Sequence, residues 1–437
     1  MKRTLIVAGA GAAALSAAVL ASGSLMANEI THLPGLEGQA IVAISDGDML
    51  SSAYVNGQLG PRESADALSV LTLEDMSVAS VPVSNSVAGA PTAVAVTPDG
   101  RFAIVSESFG PRPEDGQTFR DLPIGTQLTL VDLSDLSNPT VADTADVGNR
   151  LDGLSISPDG SLVAVALHQT DGRGLAFVEL NDGALGAVSH ANLPAIADTQ
   201  RISHVQWHPT LDFIAIHTVD QAVVHFARVL RDGGTVTLEP WGNPVLTSKY
   251  PFMGRFTPDG SHYLTANLFW GPDVPGIWTE AVDGDVMSIR FDAEGAGDNG
   301  PRHLIVGRAG TGASPEGVAI SPDGEWAVTT NLEVSYAPAD DPRHTPYSSL
   351  TLIDIDRETG TLKTVGTYYF DGILPEAATF DASGGYVAVV NYDQHVGGVT
   401  GGSIDFWRLV EGDDPKLVQT RLSVPVQHGP HSMALVN

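Results

Sequence analysis

Residues 315–331 read PEGVAISPDGEWAVTTN. Two apolar runs flank a Pro-Asp-Gly corner, in which Pro presets φ, the Asp side chain bonds back to the local backbone, and Gly takes the positive φ that other residues resist. Apolar runs joined in this way fold back as antiparallel strands. The frame recurs as PTAVAVTPDGRFAIVSES from Pro91, LDGLSISPDGSLVAVALHQ from Leu151, ISHVQWHPTLDFIAIHTVD from Ile202, PFMGRFTPDGSHYLTANLF from Pro251 and PEAATFDASGGYVAVVNYD from Pro375. Its turn positions, Pro98, Pro158, Pro209, Pro258, Pro322 and Ala382, are 60, 51, 49, 64 and 60 residues apart. Between copies lie further alternating runs, such as QLTLVDLSDLSNPTVADTADV and SSLTLIDIDRETGTLKTVGTYYF, each reading as two strands around a polar turn. Each unit therefore holds four strands, and no long helical pattern interrupts them. Periodic four-stranded units of this kind close radially into a β-propeller, which protects the sheet edges.

A seventh unit is divided between the chain ends. The last residues, PHSMALVN, match the start of an inner strand, and QAIVAISDG from Gln39 matches a second strand. Residues 64–90 supply the remaining two. The expected architecture is all-β: a seven-bladed β-propeller over residues 39–437 with four-stranded blades, closed by a C-terminal inner strand joined to three N-terminal strands. Residues 28–38 form a lead-in.

Of the 437 residues, 43% are hydrophobic and 17% charged, with 47 Gly and 28 Pro, a profile that suits a folded chain with many turns. The opening MKRTLIVAGAGAAALSAAVLASGSLMA places Lys2 and Arg3 ahead of an Ala, Leu and Val run that ends in small residues, which reads as a signal peptide over residues 1–27. A retained anchor is the alternative, but the run is Ala-rich and short for a spanning helix, and no later stretch is long enough. A periplasmic or secreted protein, with no membrane insertion after signal removal, is expected. The net charge of −30 becomes −32 without those two cations, and such a surface repels nucleic acid and anionic lipid. With no cysteine, disulfides, thiolate metal sites and covalently attached haem are excluded. The absence of a phosphate-binding loop, a dinucleotide fingerprint, H-E-x-x-H and a nucleophile elbow points away from NAD, ATP, zinc-protease and α/β-hydrolase chemistry.

The frame P-x-G-V-A-x-S-P-D-G, followed by an apolar strand ending in Asn, resembles the YVTN repeat and, more widely, the lactonase-type seven-bladed propellers, over residues 39–437. That resemblance implies hydrolysis of a ring ester, or the reverse lactonisation, by His, Glu and Arg side chains at the mouth of the central channel. Sugar-lactone hydrolases of the family carry Gly-Pro-Arg-His at an inner-strand entrance and Asn-Glu after a second strand. Here Gly429, Pro430 and His431 stand without the Arg, and Leu332 separates Asn331 from Glu333.

Repeat geometry nominates residues directly. Six positions before each turn stand Thr92, Asp152, Ser203, Phe252, Glu316, Glu376 and, in the divided unit, His431. A ring turns these towards one axis, so Glu316, Glu376 and His431 are the catalytic candidates. Converging carboxylates repel, and need a cation, a shared proton or ordered water. Calcium or magnesium would suit Asp152, Glu316 and Glu376, whereas including His431 favours zinc, manganese or iron. Equally, each acid would simply accept backbone amides at a strand entrance. Arg150 and Arg201, eight positions before their turns, are placed to grip a carboxylate or phosphate, or else to hold Asp152 or Glu316 in an ion pair.

The second strands end in Glu107, His168, His217, Asn267, Asn331 and Asn391, with Glu333, Asp393 and His395 just beyond. His168, His217, Asn331 and Asn391 are substrate-binding candidates; the competing readings are turn caps for Asn and packed core residues for His. Long connections carrying Trp270, Trp278, Tyr336 and Tyr347 offer ring-stacking walls. The reading is an exported, lactonase-like hydrolase acting on a small-molecule ligand, with a divalent metal in one version of the site. The alternative is a non-catalytic periplasmic propeller that binds a metal, a small ligand or a protein partner. A quinone-dependent redox subunit is a third class.

Overall fold

The computed structural model describes residues 32–62, 64–86, 89–168, 173–270, 282–295, 300–393 and 401–437. Residues 1–27, read above as a signal peptide, lie outside these, as do Trp278 and His395.

The repeats fold as expected. Seven antiparallel sheets, each four strands deep, form the blades of a β-propeller, and one carries an additional two-residue strand at Val245–Leu246. Their inner strands are Val94–Val96, Leu151–Ile156, His204–Trp207, Pro251–Phe256, Pro315–Ile320, Ala378–Phe380 and Pro430–Val436. At each Pro-Asp-Gly corner the hydroxyl two residues before Asp reaches that carboxylate, as with Thr97 to Asp99 at 2.6 Å and Thr257 to Asp259 at 2.7 Å. The same hydroxyl oxygen accepts the N–H that opens the second strand, at 3.1 Å from both Phe102 and His262. Gly100 and Gly260 sit at φ 73° and 74°, where a side chain would be strained.

Second strands such as Leu162–Leu167, Phe213–Thr218 and Trp326–Asn331 are buried along their whole length. Neighbouring blades cover both faces, which explains why these runs are continuously apolar instead of alternating. The core therefore lies between blades: Phe102, Ile104 and Leu130 of one blade pack on Val163, Val165 and Val178 of the next, whose Phe177 packs on the other side with Ile214 and Ile216 of the blade after it.

The divided blade has the order Pro430–Val436, Ala40–Ser45, Ala67–Thr72, Val78–Pro82. Ala40 pairs with Val436 and Ala43 with Met433. One feature was not legible in the sequence: the long connection from residue 46 to 66 in this blade carries a short helix, Ala53–Asn56.

Candidate functional site

The inner-strand entrances share a local device. Arg150, Tyr250, Ser314 and Leu374, all eight positions before their turns, adopt left-handed backbone at φ 55°, 61°, 54° and 51°. Such conformations cost about 1 kcal/mol or more for a non-glycine residue, and they collect at functional sites. Two residues on, the ladder slips: pairing jumps from Leu151 to Gly153, from Pro251 to Met253 and from Pro315 to Gly317. Asp152, Phe252 and Glu316 are thus the unpaired residues of β-bulges. A bulge bends the strand and re-aims the side chain it carries, and these three side chains line one cavity.

That cavity has a volume of about 530 Å³. It brings together Arg150, Asp152, His168, Arg201, Glu316 and Glu376, six of the residues nominated from the repeats. Its walls are apolar and aromatic. Tyr250 stacks on Phe252 with ring centroids 6.0 Å apart, Trp270 lies within 6.0 Å of both, and Tyr54, Phe109 and Phe119 form a second group. Tyr336 lines it as expected, whereas Tyr347 sits outside, edge-on to Tyr369.

His168 Nδ1 lies 2.8 Å from Asp152 Oδ2. A carboxylate only accepts, so the proton belongs on Nδ1 and Nε2 keeps the free lone pair. Arg150 Nε stands 3.3 Å from Asp152 Oδ1, and its guanidinium lies over the Phe109 ring. Arg201 reaches Asp220 at 3.4 Å and the Tyr250 hydroxyl at 3.5 Å, and one of its nitrogens is 3.4 Å from His168 Nδ1. The two arginines thus flank one His–Asp pair: Arg150 pairs with Asp152, as one reading expected, Arg201 pairs with Asp220 instead, and both line the cavity.

Glu316 and Glu376 are buried on adjacent blades. Thr330 ties their backbones together, accepting from the Gly317 N–H at 3.0 Å and donating to the Glu376 carbonyl at 3.1 Å. Burial pushes the Glu316 carboxyl up to about 8. Glu376 is raised well above the carboxylate range, first by burial and then by Glu316 and Asp46. Glu316 therefore keeps its proton at pH 7 and is able to donate it.

The structure places other nominated residues elsewhere. His431 occupies a bulge like its counterparts, between the Ser45–Pro430 and Ile44–Ser432 pairs, but its ring is fully buried with Nε2 2.8 Å from Asn85 Oδ1. Burial lowers it to about 3. It does not line the cavity, because the connection from residue 46 to 66 fills this blade's share of the mouth and presents Ala53, Tyr54 and Val55 there. His217 is a core residue, bonding the Pro251 carbonyl at 3.0 Å and the Tyr263 hydroxyl at 2.8 Å. Asn331 donates to Ser349 and Thr351, and Asn391 donates to Ser403 and Asp405, each tying a second strand to the third strand of its own blade. Glu107 accepts the Thr126 and Gln127 amides.

The quartet proposed as metal ligands, Asp152, Glu316, Glu376 and His431, is not drawn together around one point. Among the described residues, the group of acidic and imidazole donors gathered within 4.8 Å of one another is Asp46, Asp48 and Asp66, all buried, which could hold a metal ion. Sequence reasoning missed it, although the Asp-Gly-Asp spacing after the Ala40–Ser45 strand was a signal. It also missed Tyr54, whose helix has no repeat to betray it.

No family model matches the chain, and no curated protein matches it by sequence. Among solved structures, a Bacteroides uniformis protein classed with the 6-phosphogluconolactonases matches at TM-score 0.59 and 16% identity, over 92% of this chain and 100% of that one. The Pseudomonas aeruginosa periplasmic gluconolactonase PpgL matches at 0.58 and 16%, over 91% and 99%. Kuenenia stuttgartiensis hydrazine synthase matches at 0.51 and 14%, over 86% and 97%. At these identities the likeness establishes the seven-bladed fold, and the third neighbour illustrates that one propeller fold hosts unrelated chemistries.

Proposed function

We propose that this chain is an exported lactonase-like propeller that hydrolyses a small, unphosphorylated ring ester in the cavity at the channel mouth. The observation that carries the reading is the His168–Asp152 pair flanked by Arg150 and Arg201 in an aromatic-walled cavity. The lactonase names borne by two structural neighbours agree with it, and one of those neighbours is periplasmic.

In this mechanism the ester carbonyl oxygen rests against the arginines, which stabilise the negative charge that develops on it. His168 Nε2 takes a proton from water, and Asp152 holds the ring by Nδ1 and balances the imidazolium. Water oxygen bonds to the carbonyl carbon, the ring C–O bond breaks, and the leaving alkoxide takes the proton back from His168. One lactone and one water become one hydroxy acid. Polarisation by the arginines needs no metal at the carbonyl, and the donor spacing in the cavity favours it over metal assistance.

The test is a panel of unphosphorylated lactones at pH 7, with acid release followed in a pH-stat. Turnover is expected, and Arg150→Ala and Arg201→Ala should each lower kcat/KM by roughly 10²-fold. No hydrolysis across the panel, with a small molecule retained by the purified protein, would point to the binding propeller instead.

A further inference from the structure

Outside that cavity the closing blade carries a second cluster with no role in the hydrolysis. Asp46 and Asp48 follow the Ala40–Ser45 strand, and Asp66 immediately precedes Ala67–Thr72. Each offers an oxygen within 4.8 Å of the others. Their exposures are only 1%, 6% and 8%.

A separate observation is that four of the six carboxylate oxygens, both of Asp46 among them, are buried without a hydrogen-bond partner among the described residues. Neither oxygen of Asp46 has a formed hydrogen bond, nor has Asp48 Oδ1 or Asp66 Oδ1. The Ser86 hydroxyl and the Asp48 amide lie close enough to soften the isolation of Asp46 without closing such a bond. Asp66 Oδ2 accepts from the Asn85 amide at 3.1 Å and the Ser86 hydroxyl at 3.2 Å. The Arg62 guanidinium stands 4.0 Å from Asp48 Oδ2, and Arg112, which donates to the Asp48 backbone carbonyl, adds a second positive charge on the Asp48 side, leaving the Asp46 oxygens without a cation among the described residues. Three buried carboxylates cannot all stay ionised and unpartnered at such spacing, since burying even one costs several kcal/mol.

We propose that Asp46, Asp48 and Asp66 are the protein ligands of a divalent-cation site, calcium by preference, that clamps the closing blade. Calcium takes oxygen ligands at about 2.3–2.6 Å, so one ion reaches oxygens separated by up to about twice that, which matches the triad. Magnesium keeps several waters and demands regular octahedral geometry, for which so buried a site has little room. The position gives the ion its effect. The Asp46 amide donates to the Gly429 carbonyl at 2.9 Å, one residue before the Pro430–Val436 strand, and the Tyr392 hydroxyl reaches the Asp46 and Met49 carbonyls. A cation here holds the ends of the Ala40–Ser45 and Ala67–Thr72 strands together beside the Asp46–Gly429 contact and anchors the connection whose helix carries Tyr54 into the cavity wall.

The experiment uses calcium alone on the full-length, exported chain. Protein dialysed into metal-free buffer without chelator should retain about one calcium per chain by elemental analysis. After EDTA treatment, calcium should raise Tm by about 3 °C, as for a ligand at roughly a hundredfold above its Kd. Asp46→Asn and Asp66→Asn should fold, with Tm in EDTA equal to or above that of the wild type because a charge is relieved, and should lose the calcium shift. Terbium should bind the wild type with tyrosine-sensitised luminescence that Asp46→Asn abolishes. Absence of both calcium and shift overturns the proposal, as does a shift that survives Asp46→Asn. A shift abolished by Glu316→Gln but not by Asp46→Asn would also overturn it, by placing the ion in the cavity. Loss of calcium binding with lactone hydrolysis intact in the panel would leave the hydrolytic reading standing.

Discussion

His168 Nδ1 and Asp152 Oδ2 lie 2.8 Å apart, although one residue ends a second strand and the other sits in the bulge of the inner strand beside it. The pair belongs to one blade, so its geometry is set by a single strand–turn–strand unit. The arginines come from the same repeat position in that blade and the next.

Asp152→Asn keeps the shape of the pair but lets the amide donate to Nδ1, which places the imidazole proton on Nε2 and removes the base. We expect kcat to fall by roughly 10²–10⁴-fold, as in His168→Ala, with the circular-dichroism spectrum unchanged. An Asp152→Asn protein of wild-type kcat would show that the pair is structural.

His217 is the contrasting case. His217→Ala removes the partner of the buried Tyr263 hydroxyl, and a stability loss of about 1–3 kcal/mol is expected in urea unfolding. The folded variant should keep its kinetic constants. A selective loss of kcat with stability unaltered would reverse these assignments.

Stability should depend on pH in two senses. Glu316 holds its proton to about 8 in the folded state, whereas an unfolded carboxyl loses it near 4.5. Over that interval the unfolded chain binds fewer protons, so the contribution of Glu316 falls as pH rises and is lost through pH 8. His217 is lowered by burial to about 4 from 6.5, so acidification across that window favours the unfolded chain. Above pH 6.5 the acid dominates: wild-type Tm in EDTA should decline from pH 6.5 to 8.5, and Glu316→Gln should flatten the decline. Parallel curves for the two proteins would contradict the assignment.

Removing residues 430–437 deletes the inner strand of the closing blade, which pairs along Ala40–Ser45 and is almost wholly buried. The shortened chain should be unfolded or aggregated at 25 °C. A cooperative melt at the wild-type temperature would show that this strand does not close the ring.

The chain's order of strands and turns was readable because local chemistry repeats: each Pro-Asp-Gly corner imposes its own φ values, and each apolar run has a neighbouring blade to pack on. Even the division of the seventh blade followed, since PHSMALVN and QAIVAISDG each lack the half that the other supplies. Arg150, Asp152, His168, Arg201, Glu316 and Glu376 were legible for the same reason, as they occupy fixed offsets from those corners, and the ring turns offsets into proximity.

Tertiary structure alone decided the remainder. His431 shares the offset of Glu316 but faces Asn85, because a non-repeating connection fills its place at the mouth with Tyr54. Nothing in a periodic pattern encodes that connection. Asp66 stands 18 residues after Asp48 with a helix between them, and the two meet because Ala40–Ser45 pairs with Ala67–Thr72, Ser45 opposite Ala67. A shared or retained proton followed from the convergence of carboxylates, but the burial that raises Glu316 to about 8 depends on how distant segments cover the cavity, a long-range property that a local sequence pattern does not carry.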